Sequence, residues 1–325
     1  VNNIGGELAF KDSGIYTYFT DSGRSSLRMI ISTDSLACKK WLIPNFICSI
    51  VLNILDEFNI SYTFYQVNKD LNYSLSQAHQ VCDVLYIINY FGVRRINLNI
   101  EKCKNKYIIE DNVFSIFTPK SILGVNWCTF NSLRKITHLA DGSIINSNFP
   151  LNENKRKYDE APFVKQKYIA KYIKYDYLNF GKYVERDYLD KFAKSEEMLN
   201  EQLQIYGMSQ QSLSEYLVIV TNYKAEIKHR KLYFEIVNNY LSDYAIKIKT
   251  DFYSFAPILI PYRNKIRKAL FKHKVFLPVH WPNDSRIEND LSDNILSIPL
   301  STTYKQEDIV NVCKLIVDAL KKLEL

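Results

Sequence analysis

The amino-acid sequence predicts an α/β fold in two parts: a large domain over residues 1–230 around a mainly parallel sheet, and a smaller α+β domain over 231–325. Three observations carry this. Between residues 24 and 150, short apolar runs alternate with stretches of helical spacing. Strands buried on both faces and covered by helices read this way. After Phe149-Pro150 the composition shifts to Lys, Tyr, Asp and Glu with long helical character. From about residue 245 the elements shorten again, and the chain ends on an amphipathic helix.

Taken in order, the first ~20 residues read as an N-terminal arm of the large domain. Arg24–Leu36 is helical, with Leu27, Ile30 and Ile31 on one face. Trp41-Leu42-Ile43 is a short strand ending at Pro44, and Ile47, Ile50, Val51, Ile54, Leu55 and Phe58 then recur at helical spacing. Tyr62–Val67 and Val84–Ile88 read as strands. A polar helical stretch leads to the strand Tyr107-Ile108-Ile109, which ends in Glu110-Asp111. Trp127–Phe130 and Ser143–Ile145 are further strands. Helices follow over 154–200, 209–220 and 224–241, with a boundary near 230. Ala256–Ile260 and Ile295–Ile298 are strands of the second part. In the last helix Thr303 is the expected cap with Gln306 at the third helical position, and Ile309, Val312, Cys313, Ile316 and Leu320 form the apolar face.

Composition excludes several classes. With 325 residues, 47% of them hydrophobic, the chain can bury a sizeable core. No window approaches the apolar length of a membrane span; the stretch 41–51 is broken by Pro44 and Asn45. Val1–Phe10 has no basic segment followed by an apolar block, so no signal peptide is expected. Six cysteines without a C-x-x-C pair argue against a zinc knuckle or disulfide scaffold and for a reducing, cytoplasmic setting. Abundant Lys, Asn, Ile and Tyr beside few Gly and Pro read as coding bias, which accounts for 24 tyrosines without a binding role. A net charge of +7 is modest for this length. The Lys/Tyr-rich stretch 165–188 fits a solvated helix face better than a nucleic-acid surface.

Three features can carry chemistry. Gly23-Arg24-Ser25-Ser26-Leu27 lies where a helix begins, and free N–H groups with two hydroxyls there make a phosphate site, although such starts are commonly plain caps. Asp111 ends an apolar strand, where ligands bind in parallel sheets, and where loop acids are also common. Lys135 follows Ser132-Leu133-Arg134 and precedes Ala140-Asp141-Gly142; a lysine in a basic pair is ordinarily a surface charge. Together, a phosphate-type helix start, a strand-end acid and a lysine are what pyridoxal 5'-phosphate (PLP) requires for its phosphate, its pyridine nitrogen and its aldehyde.

The order of these segments resembles the DegT/StrS-type family of PLP-dependent sugar aminotransferases, which have the type I aminotransferase fold. Gly23–Leu27 is similar to the family's G-x-x-A-L phosphate turn, and Leu42–Cys48 to its (V/I)-P-x-(Y/F)-x-C variant. Ile88–Gly92 is similar to its H-x-x-G segment and Ile108–Asp111 to its I-E-D-A motif. Ser132–Lys135 with Ala140–Gly142 resembles a subgroup's S-L-R-K…D-G-G segment. Pro278–Pro282 and Leu296–Leu300 resemble the small-domain signatures. The chain departs from the pattern at Asn89, Phe114 and Ser143, and no G-x-N-x-R segment is present; Gly207-Met208-Ser209 reads as its remnant.

The resemblance implies that Lys135 carries PLP and Asp111 pairs with its ring nitrogen. It also implies that Gly23, Ser25, Ser26, Cys48, Phe114 and Ser132 surround the cofactor. It implies an aminotransferase that moves an amino group, from glutamate by family resemblance, to a keto group of a nucleotide-linked deoxysugar. Such products serve surface polysaccharides such as O-antigen, or glycosylated metabolites. A cytoplasmic homodimer without nucleic-acid or membrane partners is the implied setting. The alternative is a PLP-fold protein that has lost turnover and binds a nucleotide sugar or a protein. Dehydratases of the family replace the lysine by histidine, so Lys135 argues against that chemistry.

Overall fold

The computed structural model describes residues 14–33, 36–73, 75, 82–95 and 103–323. Most of the expected N-terminal arm, with Gly5 and Gly6, lies outside these residues, as does much of the polar helical stretch before Tyr107.

Strands β1 (Tyr16–Thr20), β2 (Trp41–Pro44), β3 (Tyr62–Tyr65), β4 (Val84–Ile88), β5 (Tyr107–Asp111), β6 (Asn126–Phe130) and β7 (Ser143–Ser147) form one sheet. Their order is β1-β7-β6-β5-β4-β2-β3. Strands β2 to β6 pair in parallel, and β7 is antiparallel to both neighbours. The last described residues of the expected arm are therefore an edge strand, β1. Every residue of β4 is buried, as the unbroken apolar run requires of a central strand covered on both faces.

Helix α1 (Gly23–Ile31) is capped by Ser22, whose Oγ accepts from Ser25 N at 3.2 Å. It ends earlier than its apolar spacing predicts. The hydroxyls of Ser32 and Thr33 donate back to the carbonyls of Arg28 and Met29 and close the last turn. Helix α2 (Ser49–Glu57) buries Val51, Leu52, Ile54 and Leu55.

Residues 154–200 resolve into α3 (Pro162–Phe180) and α4 (Glu185–Glu201), packed on each other and separated at Gly181, which has φ +63°. The two-residue strands β8 (Arg156–Lys157) and β9 (Ile205–Tyr206) flank them. Where the sequence suggests two helices, a single one, α5 (Gln210–Tyr240), spans 31 residues. Nothing between 220 and 224 breaks it: Thr221 Oγ1 and Asn222 Nδ2 both donate to the Val218 carbonyl along the helix.

The C-terminal part pairs β10 (Phe255–Leu259) antiparallel to β11 (Ile295–Pro299). It adds α6 (Arg263–Phe271), α7 (Leu291–Asn294) and α8 (Gln306–Lys321). Helix α8 packs on α5 and α6 and buries Ile309, Cys313, Ile316 and Leu320, while Val312 is half-buried. Its cap is Lys305, whose backbone N–H donates to Asp308 Oδ2 at 2.8 Å, and not Thr303. A division at residue 230 passes through α5, whose second half carries the buried Tyr233, Phe234, Ile236 and Val237.

Candidate active site

One cavity of about 130 Å³ lies over the C-terminal ends of β1, β2, β5 and β6. Five of the eight residues singled out in the sequence line it: Gly23, Cys48, Asp111, Ser132 and Lys135. Each follows or ends a strand, so the sheet delivers them to one edge. Ser22, Arg24, Arg134, Phe130 and Trp281 complete the polar and aromatic part of the wall.

The helix start forms one side. A Cβ on Gly23 would lie 3.3 Å from the Asn131 carbonyl and 3.5 Å from Ser132 Cβ, so glycine lets α1 approach the loop that carries Lys135. The first amides of α1, at Gly23 and Arg24, have no acceptor within the helix and sit at its positive end.

Ser25 and Ser26 do not line the cavity. Ser26 Oγ lies 2.7 Å from both Thr20 Oγ1 and Ser143 Oγ, fully buried between α1 and the sheet. Ser25 faces Asp21 and Gln202, whose Nε2 donates to Ser25 Oγ at 3.4 Å. The cause is helical rotation: two steps of about 100° carry a side chain from the cavity to the sheet.

Asp111 is 3% exposed and forms no ion pair among the described residues. Its Oδ2 accepts from the Tyr86 hydroxyl at 2.7 Å and its Oδ1 from Val113 N at 3.1 Å. Burial pushes the carboxyl up, against the Tyr86 hydrogen bond and the positive charge of Lys135. Glu110, its neighbour in β5, points away and is held by Arg94 at 2.6 Å and Trp127 Nε1 at 2.6 Å. Asn89 joins that network, donating to Glu110 Oε2 at 3.0 Å.

Lys135 lines the cavity with an exposed side chain. Enclosure away from bulk water lowers its pKa; Asp111 opposes this, while Arg134 and Arg24 add to it. Its loop is anchored from behind. Asp141 accepts from Ser209 N at 2.7 Å and Ser209 Oγ at 2.8 Å, tying the loop to the start of α5. Lys135 also borders a second cavity of about 360 Å³, which Thr137, Glu226, Arg230, Ser301 and Tyr304 help to line.

Phe114 stands behind the wall. Its ring centroid is 4.8 Å from Phe91, 5.3 Å from His280 and 5.8 Å from Trp281, so it supports the Trp281 ring that reaches the cavity. His280 is pushed down to about 3 by burial and by the Lys135 charge. It stays neutral, with Nδ1 2.9 Å from Ser297 Oγ. Tyr86, Arg24, Arg134 and Trp281 are the wall or supporting residues that the sequence reading did not place at the site. Arg24 and Arg134 carried a signal as neighbours of Gly23 and Lys135, and Trp281 as part of the Pro278–Pro282 signature; Tyr86 carried none.

No protein-family model and no curated protein matches the chain. Solved structures do match its whole architecture. A DegT/DnrJ/EryC1/StrS aminotransferase from Brucella abortus superposes with a TM-score of 0.63 at 14% identity, over 94% of this chain and 86% of that one. The chain has the type I PLP-dependent aminotransferase fold. Helicobacter pylori PseC, an aminotransferase involved in the biosynthesis of pseudoaminic acid, aligns at 0.61 and 13% identity, over 94% and 87%. A Streptococcus pneumoniae structure described as a sugar aminotransferase in its PLP form aligns at 0.63 and 12%, over 94% and 87%.

The cavity fits PLP. It offers helix-start amides and a hydroxyl for a dianion, a buried carboxylate without an ionic partner, and a lysine of lowered pKa.

Proposed function

We propose that the protein is a PLP-dependent sugar aminotransferase, with Lys135 and Asp111 as its catalytic residues. The observation that carries this is the convergence of Gly23, Ser132, Asp111 and Lys135 on one cavity at the C-terminal edge of the sheet. When bound, PLP supplies an electron sink for breaking a bond at an amino acid's Cα.

The chain's own residues do the rest. The α1 amides and Ser132 hold the phosphate. Asp111, ionised, would keep the ring nitrogen protonated, and the Tyr86 hydroxyl holds the carboxylate in that form against the upward push of burial. The Lys135 amine would hold the cofactor's aldehyde carbon, and its Nζ would hold and return a proton. Its lowered pKa keeps a larger neutral fraction near pH 7, as a general base needs. Cys48 and Trp281 line the cavity that would hold the ring, with Phe114 holding Trp281 from behind.

The amino donor in this reading is glutamate and the acceptor a keto group of a nucleotide-linked deoxysugar. The second cavity, with hydroxyls from Thr137, Ser301, Thr302 and Thr303, suits a polyol on the far side of Lys135. The product serves a surface polysaccharide such as O-antigen, or a glycoside, and the reaction is cytoplasmic. Among the described residues no helix is long and apolar enough to cross a membrane. A homodimer belongs to this reading; exposed apolar side chains that an interface would cover stand on α3, at Leu178 and Phe180, and on α5, at Leu217 and Val218. In this reading the large part, 1–230, and the small part, 231–325, share helix α5, which runs across the boundary.

The test is to load the purified protein with PLP, add glutamate, and follow both 2-oxoglutarate release and the visible absorbance. Stoichiometric 2-oxoglutarate with loss of the visible band is expected. A retained band and no 2-oxoglutarate, with glutamate or any other common amino acid, would leave only a binding role.

A further inference from the structure

The cavity's outer edge carries more positive charge than the structure balances. Arg24 and Arg134 both line it. The Arg24 guanidinium donates to the Leu199 carbonyl at 3.0 Å and to Asn200 Oδ1 at 2.8 Å, both on α4. Arg134 reaches Glu196 Oε1 at 3.1 Å, and Lys167 of α3 donates to that same oxygen. Lys171, one turn beyond Lys167, forms no ion pair among the described residues. Glu215, the carboxylate that acts on Lys171 among the described residues, is engaged by His138 at 3.2 Å and by Gln211 Nε2 at 2.9 Å. Three cations, Arg24, Arg134 and Lys167, thus act on one carboxylate, Glu196, and Lys171 adds a fourth positive charge beside Lys167 and Arg134. Arg134 Nε is buried with no partner. Burial and the neighbouring lysines push Lys171 down to about 8, and burial with Arg134 pushes Arg24 down to about 10.

Half-buried charge of one sign is costly unless an anion meets it. Two guanidinium forks with two ammonium groups match the oxygens of a phosphoryl group. We propose that Arg24, Arg134, Lys167 and Lys171 form a phosphoryl-binding wall along the outer edge of the cavity. It supplies within one chain the counter-charge for a phosphoryl group at the cavity mouth. The inference rests on the reading of the cavity as a PLP site only for its location. Two ligands bring such a group there: PLP itself, and the diphosphate of a nucleotide-linked substrate. Their shared chemistry is a dianionic phosphoryl oxygen cluster.

Calorimetric titration of the full chain separates them. The probes are PLP and pyrophosphate added to the apoprotein, and UDP added to the PLP-loaded protein. The variants are Arg134→Gln and Lys171→Gln; Lys171 has no ion pair to lose, so the second keeps the fold, checked by circular dichroism. The wall predicts that pyrophosphate binds the parent at millimolar concentration or below and weakens at least tenfold in both variants. It also predicts weakening as salt rises from about 50 to about 300 mM. A tenfold loss for PLP with UDP unchanged assigns the wall to the cofactor. A tenfold loss for UDP with PLP unchanged assigns it to the diphosphate, and losses in both assign it to both. Binding of all three probes within twofold of the parent in both folded variants overturns the proposal, as does a parent that binds no pyrophosphate. Lys135→Ala breaks the link to PLP and leaves pyrophosphate binding intact, so failure of the cofactor reading is told apart from failure of the wall.

Discussion

Tyr86→Phe removes one oxygen and tests what keeps Asp111 ionised. The Tyr86 hydroxyl donates to Asp111 Oδ2 at 2.7 Å, and the two side chains are 0% and 3% exposed. A hydrogen bond to a charged group is worth about 1.5–3 kcal/mol. In this buried pair no solvent replaces it. Among the effects that hold the carboxyl down against burial, the Tyr86 bond is the largest. Without it the carboxyl rises further, toward the neutral form. Only the ionised form keeps a proton on the ring nitrogen, so activity on the acid side is lost first and the acid limb moves to higher pH. The same energy, set against the barrier, corresponds to a single-turnover rate lower by about 10- to 150-fold. The assay is stopped-flow absorbance of the PLP-loaded variant mixed with glutamate across the pH range. A rate within twofold of the parent and an unmoved acid limb would refute the role given to Asp111 and its partner.

Other consequences follow from single residues. Asp21 is pushed up to about 6 from 3.8 by burial. The folded state therefore binds its proton more tightly than the unfolded chain, and stability from this group is lost as pH rises from about 4 to about 7. The full loss is on the order of 3 kcal/mol, roughly half of it between pH 5 and 8. Asp21→Asn should flatten that decline in urea titrations and be the more stable form at pH 8; a steeper decline would contradict this. Ser26→Ala should cost about 1–3 kcal/mol of stability through its two buried partners and leave PLP affinity within twofold. A tenfold loss of PLP affinity in the folded variant would return Ser26 to the phosphate site. Gly142→Ala should lose about 1–3 kcal/mol in urea titrations, because φ is +116° and the new Cβ would lie 2.8 Å from Met208 Cε. Unchanged stability would mean the loop behind Lys135 tolerates a side chain there.

Much of this site was legible in the chain because its residues sit where strands end. An apolar run closing on Glu110-Asp111 fixes an acid at a sheet edge, and the alternation of strand side chains sends one of the pair to the cavity and the other to Arg94. The helix start before Leu27 was equally visible. Its rotation was not, since two adjacent serines read alike in sequence but turn toward Asp21 and toward the sheet. Tyr86, and the place of Trp281 at the cavity, were beyond reach for another reason. Each meets Asp111 or the cavity only through tertiary packing, across 25 residues for the Tyr86 bond. Phe114 is misleading in the opposite sense: a sequence neighbour of Asp111 that packs one layer out, on Phe91 and His280. The long helix α5 hid its continuity because Thr221 and Asn222 look like breakers, yet their side chains bond back within the helix.

The central claim is that Lys135 holds the cofactor. It is tested by adding PLP to the purified protein, reducing with borohydride, and locating the pyridoxyl group by peptide mass spectrometry. The account predicts a visible band before reduction and one modified peptide, carrying Lys135. It predicts neither in a folded Lys135→Ala variant. A pyridoxyl group on another lysine, or an unchanged band in that variant, would contradict it.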